Sequence, residues 1–288
     1  MKKYFSLVTF AHTIFALPFA MVGFFLGLQH RTDEGFPFRE LLLVLLCMVF
    51  ARSAAMAFNR YVDRRIDSRN PRTAGREIPS GAISPRSALV FVLGASGLFI
   101  LTTWFINPIC FYLSPVALLV VLGYSYTKRF TPLCHLVLGL GLSLAPIGAY
   151  LAVTGVFHLI PLLYSGAVLF WVSGFDIIYA LQDEEFDKSQ RLFSIPVAMG
   201  RRGALNLSIA LHFVCAAFMV SAAWMVSQAH PGFDWISWLA TALFLAMLTY
   251  QHTIVSPNNL SRVNRAFFTT NGFASLIFGV LFILDFYL

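Results

Sequence analysis

Long apolar runs alternate with short, arginine-rich polar intervals along nearly the whole chain. A helix of about twenty apolar residues crosses the hydrocarbon core of a bilayer. Such runs fall near 5–28, 40–60, 87–106, 109–124, 133–154, 159–182, 205–227, 234–254 and 267–287. The pattern predicts an all-α integral membrane protein of about nine transmembrane helices, forming a single domain over 1–288. Only Asn107-Pro108 separates the third run from the fourth. Lys2-Lys3 ahead of Phe5 resembles the start of a signal peptide. The apolar run that follows is too long for one and lacks a small-residue cleavage site, so it reads as a retained first helix.

Composition agrees: 58% of residues are hydrophobic, 11% are charged and the mean hydropathy is +0.76. A soluble domain does not reach such values. Cys47, Cys110, Cys134 and Cys215 show no CxxC spacing and read as small buried hydrophobes. Charge sets the expected orientation. Lys2, Lys3, Arg60, Arg64, Arg65, Arg69, Arg72, Arg76, Arg86, Lys128, Arg129, Lys188, Arg191, Arg201, Arg202, Arg262 and Arg265 fall on one side of the span pattern, against Arg31 and Arg39 on the other. Basic loops stay inside, which predicts a cytoplasmic N-terminus in a multi-pass inner (plasma) membrane protein. The net charge of +7 then follows from topology and an anionic substrate, and no nucleic-acid partner is expected.

Against this background two acidic clusters stand out in a chain with only 13 acidic residues. The first runs from Asn59 through Asp63 to Asp67, the second from Asp176 through Asp183 to Asp187. A carboxylate near hydrocarbon is costly and reads first as a functional group with a partner. At i, i+4 spacing Asp63 and Asp67 share a helix face, as do Asp183 and Asp187. Such pairs suit hard divalent cations, above all Mg2+ shared with a phosphate-bearing substrate. Their place at helix ends predicts an active site at the cytoplasmic side of a central cavity. A continuous helix would also put Asp176 on the Asp183 face, beside Tyr179, with Glu184 and Glu185 solvated or paired to Lys188 and Arg191.

Arg52 lies seven residues before Asn59, so Arg52, Asn59, Asp63 and Asp67 form one stripe. It is the only basic residue well inside an expected span; snorkelling is the plain alternative, but burial is costly enough to favour a function. The loop after Asp67 carries Arg69, Arg72, Arg76 and Arg86, guanidinium groups suited to diphosphate oxygens. Tyr124 to Arg129 offers more such donors, Lys128 among them. After each acidic pair come a basic loop, Ile-Pro, Gly and Ala-Leu, so an internal duplication would set the clusters face to face. The histidines, His12, His30, His135, His158, His212, His230 and His252, lack ligand spacing and read as isolated. Gly139, Gly141 and Gly148 around Pro146 are expected to allow close helix packing. Phe267-Phe268 reads as core or lipid-facing.

Together these residues resemble the UbiA superfamily of intramembrane aromatic prenyltransferases. The first family motif appears as Asn59, Asp63, Asp67, Arg72-Thr73, Arg76 and Pro79-Ser80-Gly81, the second as Asp176, Asp183 and Asp187, and the intervening element as Tyr124 to Arg129. The chain departs from many relatives in having Glu77 after Arg76 where they have Pro. The resemblance implies two Mg2+, one served by Asn59, Asp63 and Asp67 and the other by Asp183 and Asp187. It places the diphosphate of a polyprenyl diphosphate at Arg72, Arg76, Tyr124 and Lys128, and Arg52 and Asp176 beside an aromatic acid acceptor. The implied reaction is transfer of the polyprenyl group to 4-hydroxybenzoate for a ubiquinone-type quinone. A dihydroxynaphthoate in menaquinone synthesis is the alternative acceptor. A cation-coupled secondary transporter is the reading from another class, but transporters place such groups at the midplane.

Overall fold

The structure, a computed structural model, describes residues 7, 15–30, 35–230, 232 and 235–288. In chain order the helices are α1 (Leu17–Leu28), α2 (Phe38–Asp67), α3 (Pro85–Trp104), α4 (Pro108–Thr127), α5 (Cys134–Thr154) and α6 (Leu159–Ala180). A 3-10 turn (Leu181–Asp183) leads into α7 (Glu184–Ser189), followed by α8 (Ile195–Ala229), α9 (Trp235–Ile254), a π-helical turn (Arg265–Thr270) and α10 (Asn271–Tyr287). The described residues contain no strand.

Every expected span finds a helix, but the count of nine narrows. Seven helices of the described part are long and apolar enough to cross a membrane. The first expected span survives as the 12 residues of α1, its earlier part lying outside the described residues with Lys2, Lys3 and His12. The eighth, α9, carries Ser237, Thr241, Thr249, Gln251 and His252, which lower its apolar character.

Helix ends follow local chemistry. The Asn107-Pro108 break becomes a cap: Asn107 Oδ1 accepts from the Cys110 amide at 2.9 Å, and Pro108 supplies a first turn that needs no donor. Ser84 before Pro85 and Ser194 before Ile195-Pro196 cap α3 and α8 in the same way. Gly200 has φ of +67° and bends α8 near its start, a conformation that glycine adopts without steric cost. At the far end, buried Asp285 of α10 accepts from both the amide and the hydroxyl of Ser237, capping α9 from outside.

The core is aromatic. Phe19 packs on Trp171, Phe244 and Phe278 at centroid distances of 5.4, 5.7 and 5.3 Å, tying α1, α6, α9 and α10 together. Val90, Leu93, Tyr112, Leu119 and Phe213 are exposed on the outer faces of α3, α4 and α8. Backbone groups are satisfied within helices while apolar side chains face outward, the arrangement a bilayer requires. Gly139 presses α5 against α6, where a Cβ would strike the Leu169 carbonyl and Ser173. Gly141 lies against Val121 of α4, whose side chain a Cβ would meet at 3.6 Å, whereas Gly148 differs from expectation: a Cβ there would meet nothing, and it faces a cavity.

Candidate active site

That cavity, about 430 Å³, runs between α2, α4 and α5. Its walls are almost wholly apolar, among them Met48, Phe99, Val116 and Leu142, and Val116 is exposed on the outer surface as well. Arg52 and Tyr124 line it too. The Tyr124 hydroxyl lies within electrostatic reach of Asp63, Asp176, Arg52 and Arg60, so one face of the cavity abuts the charged cluster.

The first acidic motif stands on an unbroken helix. From Phe38 to Asp67 α2 keeps Arg52, Asn59, Asp63 and Asp67 on the stripe that their spacing predicts. Asp63 and Asp67 are buried, with 2% and 4% of their surface exposed. Asn59 donates to Asp63 Oδ2 at 3.2 Å. Lys128 Nζ sits 2.9 Å from Asp63 Oδ2, and Arg129 donates to Oδ1 at 2.8 Å. Arg76 reaches Asp67 Oδ1 at 2.6 Å. The second oxygen, Asp67 Oδ2, is buried with no hydrogen-bond partner, as are Arg52 Nε and Arg60 Nε.

The second motif departs from the expected geometry. The helix ends at Ala180, passes through the 3-10 turn and restarts as α7, so Asp176, Asp183 and Asp187 do not share one continuous face. Asp183 is drawn to the first motif's loop: Arg72 Nε donates to its Oδ1 at 3.0 Å, Arg72 Nη2 pairs with Oδ2, and Asn70 Nδ2 donates at 3.3 Å. Arg72 also donates to the Tyr179 hydroxyl at 3.1 Å, and the Tyr179 ring stacks on Phe267 at 4.1 Å. Asp187 lies within electrostatic reach of Lys128, Asp183, His135 and Arg72. Glu185 is solvated, as expected, with Arg201 at 3.5 Å, and Glu184 pairs with Arg201 at 2.8 Å, not with Lys188 or Arg191. The two clusters therefore meet across loop bridges, Arg72 to Asp183 and Arg69 to Gln190.

The residues fit a hard divalent cation by their donors. Carboxylates from both motifs, the Asn59 amide and the unpartnered Asp67 Oδ2 offer oxygen ligands of the type that Mg2+ takes. Within the described part no three His, Cys, Asp or Glu side chains already enclose an ion. Lysine and arginine side chains hold Asp63, Asp67 and Asp183 instead.

Several site residues escaped the motif reading. Asn70 accepts from the Arg72 amide at 2.9 Å while binding Asp183, and Asn-Pro before an Arg-Thr pair was the available turn signal. The described histidines are not isolated. His135 contacts Asp176 Oδ2 at 2.7 Å, His212 contacts His252 at 2.7 Å, and the His30 ring lies 5.1 Å from His158. Each pairing joins helices distant in sequence, which no local spacing reveals.

A sequence model described as the UbiA prenyltransferase family matches residues 16–277. The 4-hydroxybenzoate octaprenyltransferase of Aeromonas hydrophila subsp. hydrophila is 32% identical over 253 residues, covering 85% of this chain and 84% of that protein. That of Tolumonas auensis is 30% identical over 247 residues, with 85% and 84% covered. The apo structure of a UbiA homolog from Aeropyrum pernix K1 aligns with a TM-score of 0.82 at 34% identity, over 95% of this chain and 98% of that one. A UbiA homolog from Archaeoglobus fulgidus bound to DMAPP and Mg2+ shares the fold, with a TM-score of 0.77 at 21% identity over 99% of each chain.

Proposed function

The chain belongs to the UbiA prenyltransferase family, and on that premise we propose that it transfers a polyprenyl group from a polyprenyl diphosphate to the ring of 4-hydroxybenzoate. The product would serve a quinone of the ubiquinone type. The observation that carries this reading is the union, at one end of an apolar cavity, of two carboxylate motifs with the cations that bridge them. The names of the Aeromonas and Tolumonas relatives support the acceptor.

Asn59, Asp63 and Asp67 would hold one Mg2+, and Asp183 and Asp187 a second. Bound there, Mg2+ would neutralise the charge that accumulates on the departing diphosphate. Lys128, Arg76 and Arg72, which now sit on the carboxylates, are the groups for the remaining diphosphate oxygens. Tyr124 adds a hydroxyl at the edge of the cavity. As the C–O bond breaks, its electron pair leaves with diphosphate and an allylic cation remains. The apolar walls exclude water from that cation, and ring faces such as Tyr124 and Phe99 attract it, by about 2 kcal/mol or more per desolvated contact. A π pair of the acceptor ring then forms the new C–C bond, and the proton on that carbon passes to the released diphosphate. Arg52, charged and with Nε unpartnered, suits the acceptor's carboxylate, with Asp176 in electrostatic reach of the same Tyr124 hydroxyl.

The charged end is assigned to the cytoplasm and the protein to the inner membrane. Support comes from its basic loops, 68–84, 128–133 and 188–194, which all lie at the end that holds the acidic motifs. The test is direct. Purified protein is incubated with Mg2+, a short prenyl diphosphate and a panel including 4-hydroxybenzoate and a dihydroxynaphthoate, and products are read by mass spectrometry. Prenylated 4-hydroxybenzoate is expected. Product from the dihydroxynaphthoate alone would move the chain to menaquinone synthesis, and no product from any aromatic acid would overturn the proposal.

A further inference from the structure

The Asp176 carboxylate is held by a residue that belongs to neither acidic motif. His135, in the first turn of α5, brings Nδ1 to 2.7 Å from Asp176 Oδ2. Its other nitrogen, Nε2, faces the backbone amide of Ile195, the first residue of α8, at 3.4 Å. A backbone amide can only donate, so Nε2 accepts and the ring proton sits on Nδ1, directed at the carboxylate. Both ring nitrogens are thereby engaged.

The ring has little freedom to do otherwise. Its side chain is 5% exposed, against 20% for Asp176. Ser173 of α6 donates to the His135 carbonyl at 3.2 Å, and Gly139, one turn on, closes the gap between α5 and α6. The loops that carry cations and carboxylates are joined independently of His135: the Phe193 amide donates to the Lys128 carbonyl at 2.7 Å, and the Leu192 amide donates to the Asp187 carbonyl at 2.9 Å. The structure thus spends one oxygen of Asp176 on the imidazole and leaves the residue partly open, in the electrostatic neighbourhood that Tyr124 shares with Arg52.

We propose that His135 is a positioning residue for the acceptor, orienting Asp176 so that its second oxygen accepts the phenolic O–H of the aromatic acid whose carboxylate Arg52 takes. The acceptor would then be read at both ends, which defines its class as an aromatic acid with a ring hydroxyl opposite the carboxylate. A hydrogen bond from that hydroxyl to a carboxylate also enriches the ring carbons beside it, where the allylic cation must be attacked. The proposal rests on the prenyl-transfer reading given above.

The test uses the full chain with Mg2+, a short prenyl diphosphate and two ligands, 4-hydroxybenzoate as acceptor and benzoate as a competitive inhibitor without the hydroxyl. His135→Leu should raise KM for 4-hydroxybenzoate about tenfold, the size of one lost oriented hydrogen bond. The inhibition constant of benzoate and the KM for prenyl diphosphate should stay within about twofold of wild type. His135→Gln, whose amide can still donate to Asp176, should recover most of the loss. If His135→Leu does not fold, His135→Asn, whose shorter amide falls short of the carboxylate, takes its place. Equal weakening of benzoate and 4-hydroxybenzoate, or no recovery in His135→Gln, would reduce His135 to a packing residue. An unchanged KM in His135→Leu would overturn the proposal while wild-type transfer stood. Absence of transfer in wild type would instead remove the function on which it rests.

Discussion

The two acidic motifs present similar carboxylate pairs on different scaffolds. Asp63 and Asp67 stand on the last turns of a 30-residue helix, nearly fully buried, and are held by Lys128, Arg129 and Arg76. Asp183 and Asp187 stand on a broken segment, a 3-10 turn followed by a six-residue helix, and Asp183 is held by loop residues Arg72 and Asn70. The first motif is fixed by its own helix and by burial. The second takes its position from contacts across the site. Substitutions in the first should therefore disturb both catalysis and stability, and those in the second catalysis alone.

The largest effect expected is on turnover. Asp67→Asn and Asp187→Asn should each lower kcat at least about a thousandfold, because on the proposed reading each would remove a charged oxygen ligand where leaving-group charge must be neutralised. Removing metal with EDTA should do the same, with Mg2+ restoring activity. Thermal inactivation in detergent separates the motifs. Asp63→Asn leaves the partly exposed Lys128 and Arg129 facing a neutral amide and should cost about 3 kcal/mol, the low end for a broken buried pair, whereas Asp187→Asn should leave stability near wild type. Equal destabilisation by both would dissolve the contrast between the scaffolds.

A smaller, more selective effect is expected in the loops that bridge the motifs. Arg76→Ala and Lys128→Ala should raise KM for the prenyl diphosphate about tenfold or more, and KM for the aromatic acid far less, each losing one charge-assisted contact. Arg52→Ala should invert that ratio, and Arg52→Lys should recover only part, since an ammonium lacks the planar fork. Parallel changes in both constants would mean that these cations shape the fold and not the substrate sites.

This contrast also explains what the sequence could reveal. The stripe from Arg52 to Asp67 was legible because helical periodicity holds through all 30 residues of α2. The same reasoning failed for Asp176, Asp183 and Asp187, since nothing local marks the helix end at Ala180; Arg72 and Asn70 draw Asp183 toward the other half of the site. His135–Asp176 and His212–His252 are separated by 41 and 40 residues, so they emerge only once helices are packed. Gly148 reads as a packing glycine in the sequence because small residues carry no sign of whether a helix or a void lies opposite.

The smallest expected effect lies at the end opposite both motifs. His30, His158 and His230 gather there after α1, before α6 and after α8, with Tyr150 beside His30 at 5.9 Å. Burial, and then the neighbouring histidines, push His30 and His230 below the usual histidine range. The folded protein then binds fewer protons than the unfolded chain as pH falls below about 6.5. Their contribution to stability is present at neutral pH and declines under acid. The midpoint of thermal inactivation should drop slightly from pH 7.5 to 5.5, and His30→Gln should flatten the decline while leaving the KM values unchanged. A drop centred on the activity profile instead would tie the acid sensitivity to the charged end.

The central claim, that both motifs converge on one diphosphate through metal, is most directly measured by Mn2+ EPR titration with an unreactive prenyl thiodiphosphate. Wild type should bind two coupled Mn2+ per chain only when the analogue is present, and Asp67→Asn and Asp187→Asn should each abolish the coupling by losing one ion. Tight analogue binding without metal, or two coupled ions retained in both variants, would contradict the account.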